Sequence, residues 1–316
     1  MEKKSIVQKI ENIPVPLLPT MVGAATLSNV YLTFGYTWVR HLTMISASII
    51  LLAYMLKIFK YFGTVKKEYS NTVPASLYVG FTMITMILGS YYFDYNQVVG
   101  KALWFIGVVL HAIHILIFTY RNVIKGINMD TFLPSWFVTY NGIMVSTVVG
   151  GVMNEPLICK MVVYYGIGVF AFIIPFMFYR LIKHPIKDAV YHTQAILLAP
   201  SSLCVVGYIN FIKENPNKTL LYALYVCVLL ALLFIIYKLP RFFSYSFTPG
   251  FAGLTFPMAI GIVASLKMSA FVTANGNEVL GNIIKEISGI QIFLTTVIIG
   301  FVLYNFARMF VNSYKK

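Results

Sequence analysis

Apolar runs of spanning length recur ten times along the chain, at 14–36, 41–60, 73–93, 101–119, 132–151, 157–179, 194–212, 219–238, 248–267 and 286–308, with short connections between them. A bilayer core takes about 20 apolar residues per helix, so the pattern predicts ten transmembrane helices and leaves no room for a separate soluble domain. Each odd-numbered run carries a proline in its first half: Pro19, Pro74, Pro134, Pro200 and Pro257. Their intervals of 55, 60, 66 and 57 residues match one two-helix hairpin plus loops, repeated five times. Glycine follows the same division, with 11 of the 21 in odd runs and five in even ones. Odd runs also collect Ser, Thr and Asn, whereas the cores of the fourth and sixth runs have none.

The predicted fold is all-α and integral to the membrane: five helical hairpins, the odd helices proline-kinked around a central pore and the even helices outside, facing lipid. An interior proline removes a helix hydrogen bond and clashes with the preceding turn. Such a break is tolerated in a bilayer where it is buried in protein or lines a wet cavity. The chain divides into a cytoplasmic segment at 1–13, a channel domain at 14–309 and a cytoplasmic tail at 310–316.

Composition narrows the class. Of 316 residues, 59% are hydrophobic and 11% charged, and the mean hydropathy of +0.79 excludes disorder. The net charge of +14 does not point to nucleic acid, because the cations flank apolar runs, where they set topology. Counted on alternate sides, 17 of the 24 Lys and Arg fall on one side, including Lys3, Lys4, Lys9, Lys57, Lys66, Lys67, Arg121, Arg180, Arg241, Lys315 and Lys316. That split predicts both termini in the cytoplasm and a multi-pass protein of the cytoplasmic membrane. The first run begins at Ile13 and holds Pro14, Pro16 and Pro19 with no small-residue cleavage pattern, so it is not read as a removable signal peptide. Cys159, Cys204 and Cys227 stand at no metal-ligand spacing and read as reduced membrane residues.

All ten acidic residues sit at run ends or in loops. Proton- and sodium-coupled carriers usually hold their ion on an intramembrane carboxylate, and cation channels often carry acidic rings. A passage lined by small hydroxyls, Asn and Gly, with basic mouths, favours anions. Thr139, Asn141, Ser201 and Ser202 are the candidate polar lining. His111 and His114 share one face of the fourth run at i and i+3, which permits a metal pair or a proton relay. No third ligand stands at a useful spacing, so packing between helices is the preferred reading, and no metal or cofactor is expected. No HExxH, GxSxG or Asp-rich motif is present, so an enzyme is not expected.

The five proline-bearing runs alternating with five others, the opening Pro14-Val15-Pro16-Leu17-Leu18-Pro19-Thr20-Met21-Val22-Gly23, and Phe251-Ala252-Gly253-Leu254-Thr255-Phe256-Pro257-Met258-Ala259 in the ninth run resemble the tellurite-resistance/dicarboxylate transporter family. That family includes bacterial TehA-type proteins and the plant slow-type anion channels. The resemblance covers about residues 14–309 and is one of pattern. It implies a homotrimer with one pore per protomer, and a phenylalanine gate on the ninth helix whose matching position is Phe256. Leu18, Val73, Leu133 and Ala199 precede the other prolines, so only the ninth run places an aromatic there. The long phosphorylated termini of the plant channels are absent, so their kinase control is not implied. The expected function is an anion channel for chloride or nitrate; the alternative is a secondary carrier or exporter of C4-dicarboxylates such as malate or of tellurium oxyanions.

Overall fold

The computed structural model describes residues 10–315. Lys3, Lys4, Lys9 and Lys316 of the charge count, and most of the expected 1–13 segment, lie outside the described residues. Among the described residues the chain is helical, with no strand. In chain order the principal segments are α1 (Leu17–Thr33), α2 (Thr37–Lys60), α3 (Thr72–Phe93), α4 (Gln97–Ile124), α5 (Trp136–Val152), α6 (Pro156–Lys183), α7 (Asp188–Phe211), α8 (Lys218–Ser244), α9 (Pro249–Ala274) and α10 (Glu278–Lys315). Eight of them, all but α1 and α5, are long and apolar enough to cross a membrane. The segments α1 and α5 are shorter and lie at the positions of the first and fifth expected runs. A short helix that the apolar pattern did not mark, Phe62–Ser70, joins α2 to α3.

Burial separates two populations. Of the most apolar stretch of each, 72% of α3, 83% of α7 and 72% of α9 is buried, against 22 to 33% in α2, α4, α6, α8 and α10. Most of α1 is buried as well. The exposed surface of the even segments is apolar, with Leu42, Ile49, Leu116, Phe172, Leu233 and Phe293 all open, as expected of helices that face hydrocarbon.

The prolines are used differently from the expectation of interior kinks. Pro19, Pro200 and Pro257 are each the third residue of a regular α-helix, starting at Leu17, Leu198 and Thr255. Pro74 is the third residue of Thr72–Tyr78, and Pro134 precedes the helix that starts at Trp136. The first N–H groups of a helix have no partner within it, so a proline there interrupts no bond of that helix, although the neighbouring Leu17, Leu18 and Thr20 N–H groups bond back to the Pro14, Val15 and Pro16 carbonyls. What precedes is irregular: 3-10 turns cover Asp188–Leu197 before Pro200 and Pro249–Leu254 before Pro257. The helix breaks also lie elsewhere, at Val79 within α3 and at a 3-10 turn, Gly142–Met144, within α5. Prolines that do stand inside helices, Pro175 and Pro240, belong to the even segments α6 and α8.

Packing between apolar helices in lipid gains little from the hydrophobic effect, so close approach at small residues carries more of the cohesion. Gly23 of α1 lies directly on α9, where a Cβ would come within 2.6 Å of the Phe256 nitrogen and 2.7 Å of the Thr255 carbonyl carbon. Gly80 makes the matching contact on the other flank of α1, with a Cβ meeting Pro19 nitrogen at 2.8 Å. Neither contact can relax by moving a side-chain tip, because the obstacles are backbone. Gly23→Ala is expected to cost about 1 to 3 kcal/mol, the usual range for overpacking, measured as a lowered midpoint of unfolding in detergent.

Candidate functional site

Two cavities lie along the buried segments. The first, about 330 Å³, is bounded by the beginnings of the odd segments: Pro16 and Pro19, Val73 and Pro74, Val190 and Thr193, Gly253 and Pro257, with Phe137 and Val138 of α5. The second, about 410 Å³, is bounded by the later parts of α1, α3, α5 and α9, through residues such as Asn29, Ser90, Val149 and Lys267. These odd segments therefore run in one direction, from the first cavity toward the second. One residue borders both cavities: Phe256. Its side chain is 5% exposed, at the second position of the regular α9 helix, just before Pro257. The Gly23 contact sets α1 against its backbone nitrogen.

The cavities differ in chemistry. The first is almost wholly apolar, and its polar lining is Glu68 and Thr193. The second carries Thr26, Asn29, Thr33, Arg40, Ser90, Asp94 and Lys267. The Arg40 guanidinium donates to Asp94 Oδ2 at 2.7 Å and to Asn29 Oδ1 at 3.1 Å, and lies 5.1 Å from the Tyr91 ring centre. Lys267 forms no ion pair among the described residues. The second cavity thus has a surplus of positive charge at its wall.

The expected polar lining lies elsewhere. Thr139, Asn141, Ser201 and Ser202 are buried and border neither cavity. Asn141 Nδ2 donates to the Gly166 carbonyl of α6 at 2.9 Å, and Ser202 Oγ to the Leu198 carbonyl at 2.7 Å. Ser201 Oγ reaches the same Leu198 carbonyl at 3.4 Å. The two serine hydroxyls bond backbone, the normal solution in a medium without water, while Asn141 Oδ1 meets no partner among the described residues.

Thr139 belongs to a network with both histidines. His111 Nε2 faces the Thr139 carbonyl at 2.9 Å, and its Nδ1 faces Thr82 Oγ1 at 2.7 Å. A carbonyl only accepts, so Nε2 carries the hydrogen, and the single Thr82 hydroxyl hydrogen lies between Nδ1 and the Val79 carbonyl at 2.8 Å. His114 Nδ1 faces the Tyr69 hydroxyl at 2.6 Å, and its Nε2 faces Thr139 Oγ1 at 3.4 Å. Burial pushes the Tyr69 hydroxyl up from its ordinary pKa, against the pull of Arg121, which keeps it a donor. The nitrogens are engaged, and no group of three or more metal-ligating side chains gathers among the described residues. The pair bolts α4 to α3, to α5 and to the short helix.

Two charge clusters were not marked as site residues in the sequence: Arg40, Asp94 and Lys267 at the second cavity, and Glu68 with Lys57 at the first. Their only signal was position, as charges within a turn or so of an apolar run: the topology count took Arg40, Lys57 and Lys267 as flanking cations, and Glu68 and Asp94 read as acids at run ends or in loops. For the histidine network, His111→Leu removes the partner of the Thr139 carbonyl and one of the two partners of the Thr82 hydroxyl, which keeps the Val79 carbonyl. It is expected to lower unfolding stability in micelles by about 1 to 2 kcal/mol while leaving anion selectivity unchanged.

Two uncharacterized transporters of Methanocaldococcus jannaschii are similar to this chain. One is 23% identical over 194 residues, covering 56% of each chain, and the other is 22% identical over 173 residues, covering 50% of each. The chain therefore spans about half the length of the curated relatives it matches. A far longer match is to the family described as voltage-dependent anion channel (SLAC1), over residues 13–310. With that match spanning nearly the whole sequence, the chain belongs to the voltage-dependent anion channel family of membrane anion channels and transporters.

Proposed function

We propose that the protein is an anion channel that passes small inorganic anions, chloride and nitrate, from one cavity to the other past Phe256, which acts as the gate. The observation that carries this reading is that, among the described residues, Phe256 alone borders both cavities. A benzyl group closing an otherwise continuous path is an apolar plug, and a constriction of this kind stops ions by excluding water.

The charge sign follows from the surroundings. The odd segments all begin around the first cavity, so the positive ends of their backbone dipoles point toward it. Lys267 and Arg40 add positive charge at the second cavity. Among the described residues no cationic side chain borders the first cavity, and weak binding suits conduction better than capture. In this reading α1 and α5 complete ten spans. A helix of 17 residues, the length of α1, rises about 26 Å, close to the roughly 30 Å of the hydrocarbon core. The first cavity opens on the side of Lys57, Lys66, Lys67 and Arg121, which is cytoplasmic by the excess of cations. The assembly is a homotrimer in the cytoplasmic membrane with one pore per protomer, as family resemblance implies.

A second reading, a carrier or exporter of C4-dicarboxylates or tellurium oxyanions, is favoured by one observation. The second cavity holds two cationic side chains in about 410 Å³, a volume within the usual range for ligand sites. A carrier shows saturation and counterflow, and a channel shows neither at modest concentration.

Phe256→Ala joins the two cavities. In planar bilayers under a chloride gradient its current is expected to exceed that of the parent at least about tenfold, equivalent to lowering the barrier by about 1.4 kcal/mol, and to reverse near the chloride potential. Phe256→Tyr, which keeps the ring, stays closed. A correctly folded Phe256→Ala protein with unchanged current removes the gate.

A further inference from the structure

Among the described residues, Glu68 is the one ionisable residue that borders the first cavity. A carboxylate on the wall of an anion path is unfavourable, because a like charge a few ångströms away in a poorly polarisable setting strongly lowers anion occupancy. Here both carboxylate oxygens are taken. Oε1 accepts from Lys57 Nζ at 2.8 Å, and Oε2 accepts a short hydrogen bond from the Tyr78 hydroxyl. Lys57 is itself wholly buried, with its side chain at 0% exposure against 28% for Glu68. Its ammonium also donates to the Ile13 carbonyl at 2.8 Å. The cation therefore stands behind the carboxylate as seen from the cavity.

The local sequence explains the arrangement. Lys57 falls in the last turn of α2, where its stem can turn inward from the bilayer boundary. The short helix carries Glu68 back over it, with Val65 buried and Thr64 Oγ1 donating to Glu11 Oε1 at 2.5 Å. A buried charge without a partner is strongly unfavourable, so each member of the pair requires the other.

We propose that Lys57 and Glu68 form a masked charge pair that sets the anion-to-cation selectivity at the first cavity, with Glu68 facing the path and Lys57 cancelling it. This inference rests on the path running through the first cavity past Phe256. The pair gives opposite outcomes for its two halves. Removing Lys57 bares a carboxylate beside the path, and removing the Glu68 charge bares an ammonium. A purely structural pair would reduce flux in both variants without a sign.

The test is the reversal potential in planar bilayers under a potassium chloride gradient, in the Phe256→Ala protein and in the same protein carrying Lys57→Met, Glu68→Gln or both. Lys57→Met is expected to lower the chloride-to-potassium permeability ratio by about tenfold, or about 1.4 kcal/mol. Glu68→Gln is expected to raise it severalfold, and the double variant to return to within about twofold of its parent, as coupled neighbours do. Should Lys57→Met fail to fold, Glu68→Gln and the double variant carry the comparison, since glutamine keeps an acceptor for Lys57 and the double variant leaves no buried charge. Ratios that are unmoved, or that shift in the same direction in every variant, overturn the pair while leaving the path standing. An absence of current in Phe256→Ala itself overturns the path, and this inference with it.

Discussion

A peptide group inside hydrocarbon has no water to bond, so every N–H and C=O must find a partner within the protein. Proline sharpens that constraint, because it supplies no donor and obstructs the turn before it. The chain meets the constraint by starting its regular inner helices at or just beside proline. The residues ahead of Pro200 and Pro257 wind as 3-10 turns instead. Those two entries brace each other: a Cβ on Gly253 would meet the His192 carbonyl at 2.6 Å, and the His192 and Phe251 rings lie 3.9 Å apart. The first cavity is the space that these irregular entries leave between them, and Phe256 stands where the irregular backbone becomes helical.

The same constraint accounts for the polar side chains. Many hydroxyls and amides in the bundle bond a backbone carbonyl or another side chain, as with Asn141 Nδ2 on Gly166 and Trp104 Nε1 on the Ser146 carbonyl at 3.1 Å, whereas the Ser135, Ser146 and Thr295 hydroxyls and the Gln291 amide meet no partner among the described residues. Polar residues are thus spent on fastening helices, and the space that remains is apolar over most of its wall. Among the described residues the charged side chains that border the two cavities are Glu68, backed by Lys57, on one side and Arg40, Asp94 and Lys267 on the other.

Much of this was legible beforehand, because helix period and apolar length are local properties of a sequence. The proline interval and the split of glycine between odd and even runs told which helices are buried, and the aromatic before Pro257 was distinctive among the five prolines. Three things were not legible. A proline's place relative to a helix start depends on where the 3-10 entries end, and apolar runs carry no mark of that. Which face of a helix meets a cavity depends on the rotation of its neighbours, so Thr139, Asn141, Ser201 and Ser202 were indistinguishable from lining residues by composition. Lys57 and Glu68 are eleven positions apart and separated by an unmarked helix, so their pairing exists only in three dimensions.

On the proposed path, a barrier one ring thick has an electrical consequence. Membrane voltage falls mainly where resistance is greatest, and two wide vestibules meeting at Phe256 leave little resistance anywhere else. An anion in either cavity then sits near the potential of its own bulk solution. The whole electrical work, about 2.3 kcal/mol per charge for each 100 mV, is done within the few ångströms occupied by a single side chain. The local field there is several times that of the bilayer as a whole, so the residue that closes the path also stands where voltage acts most strongly.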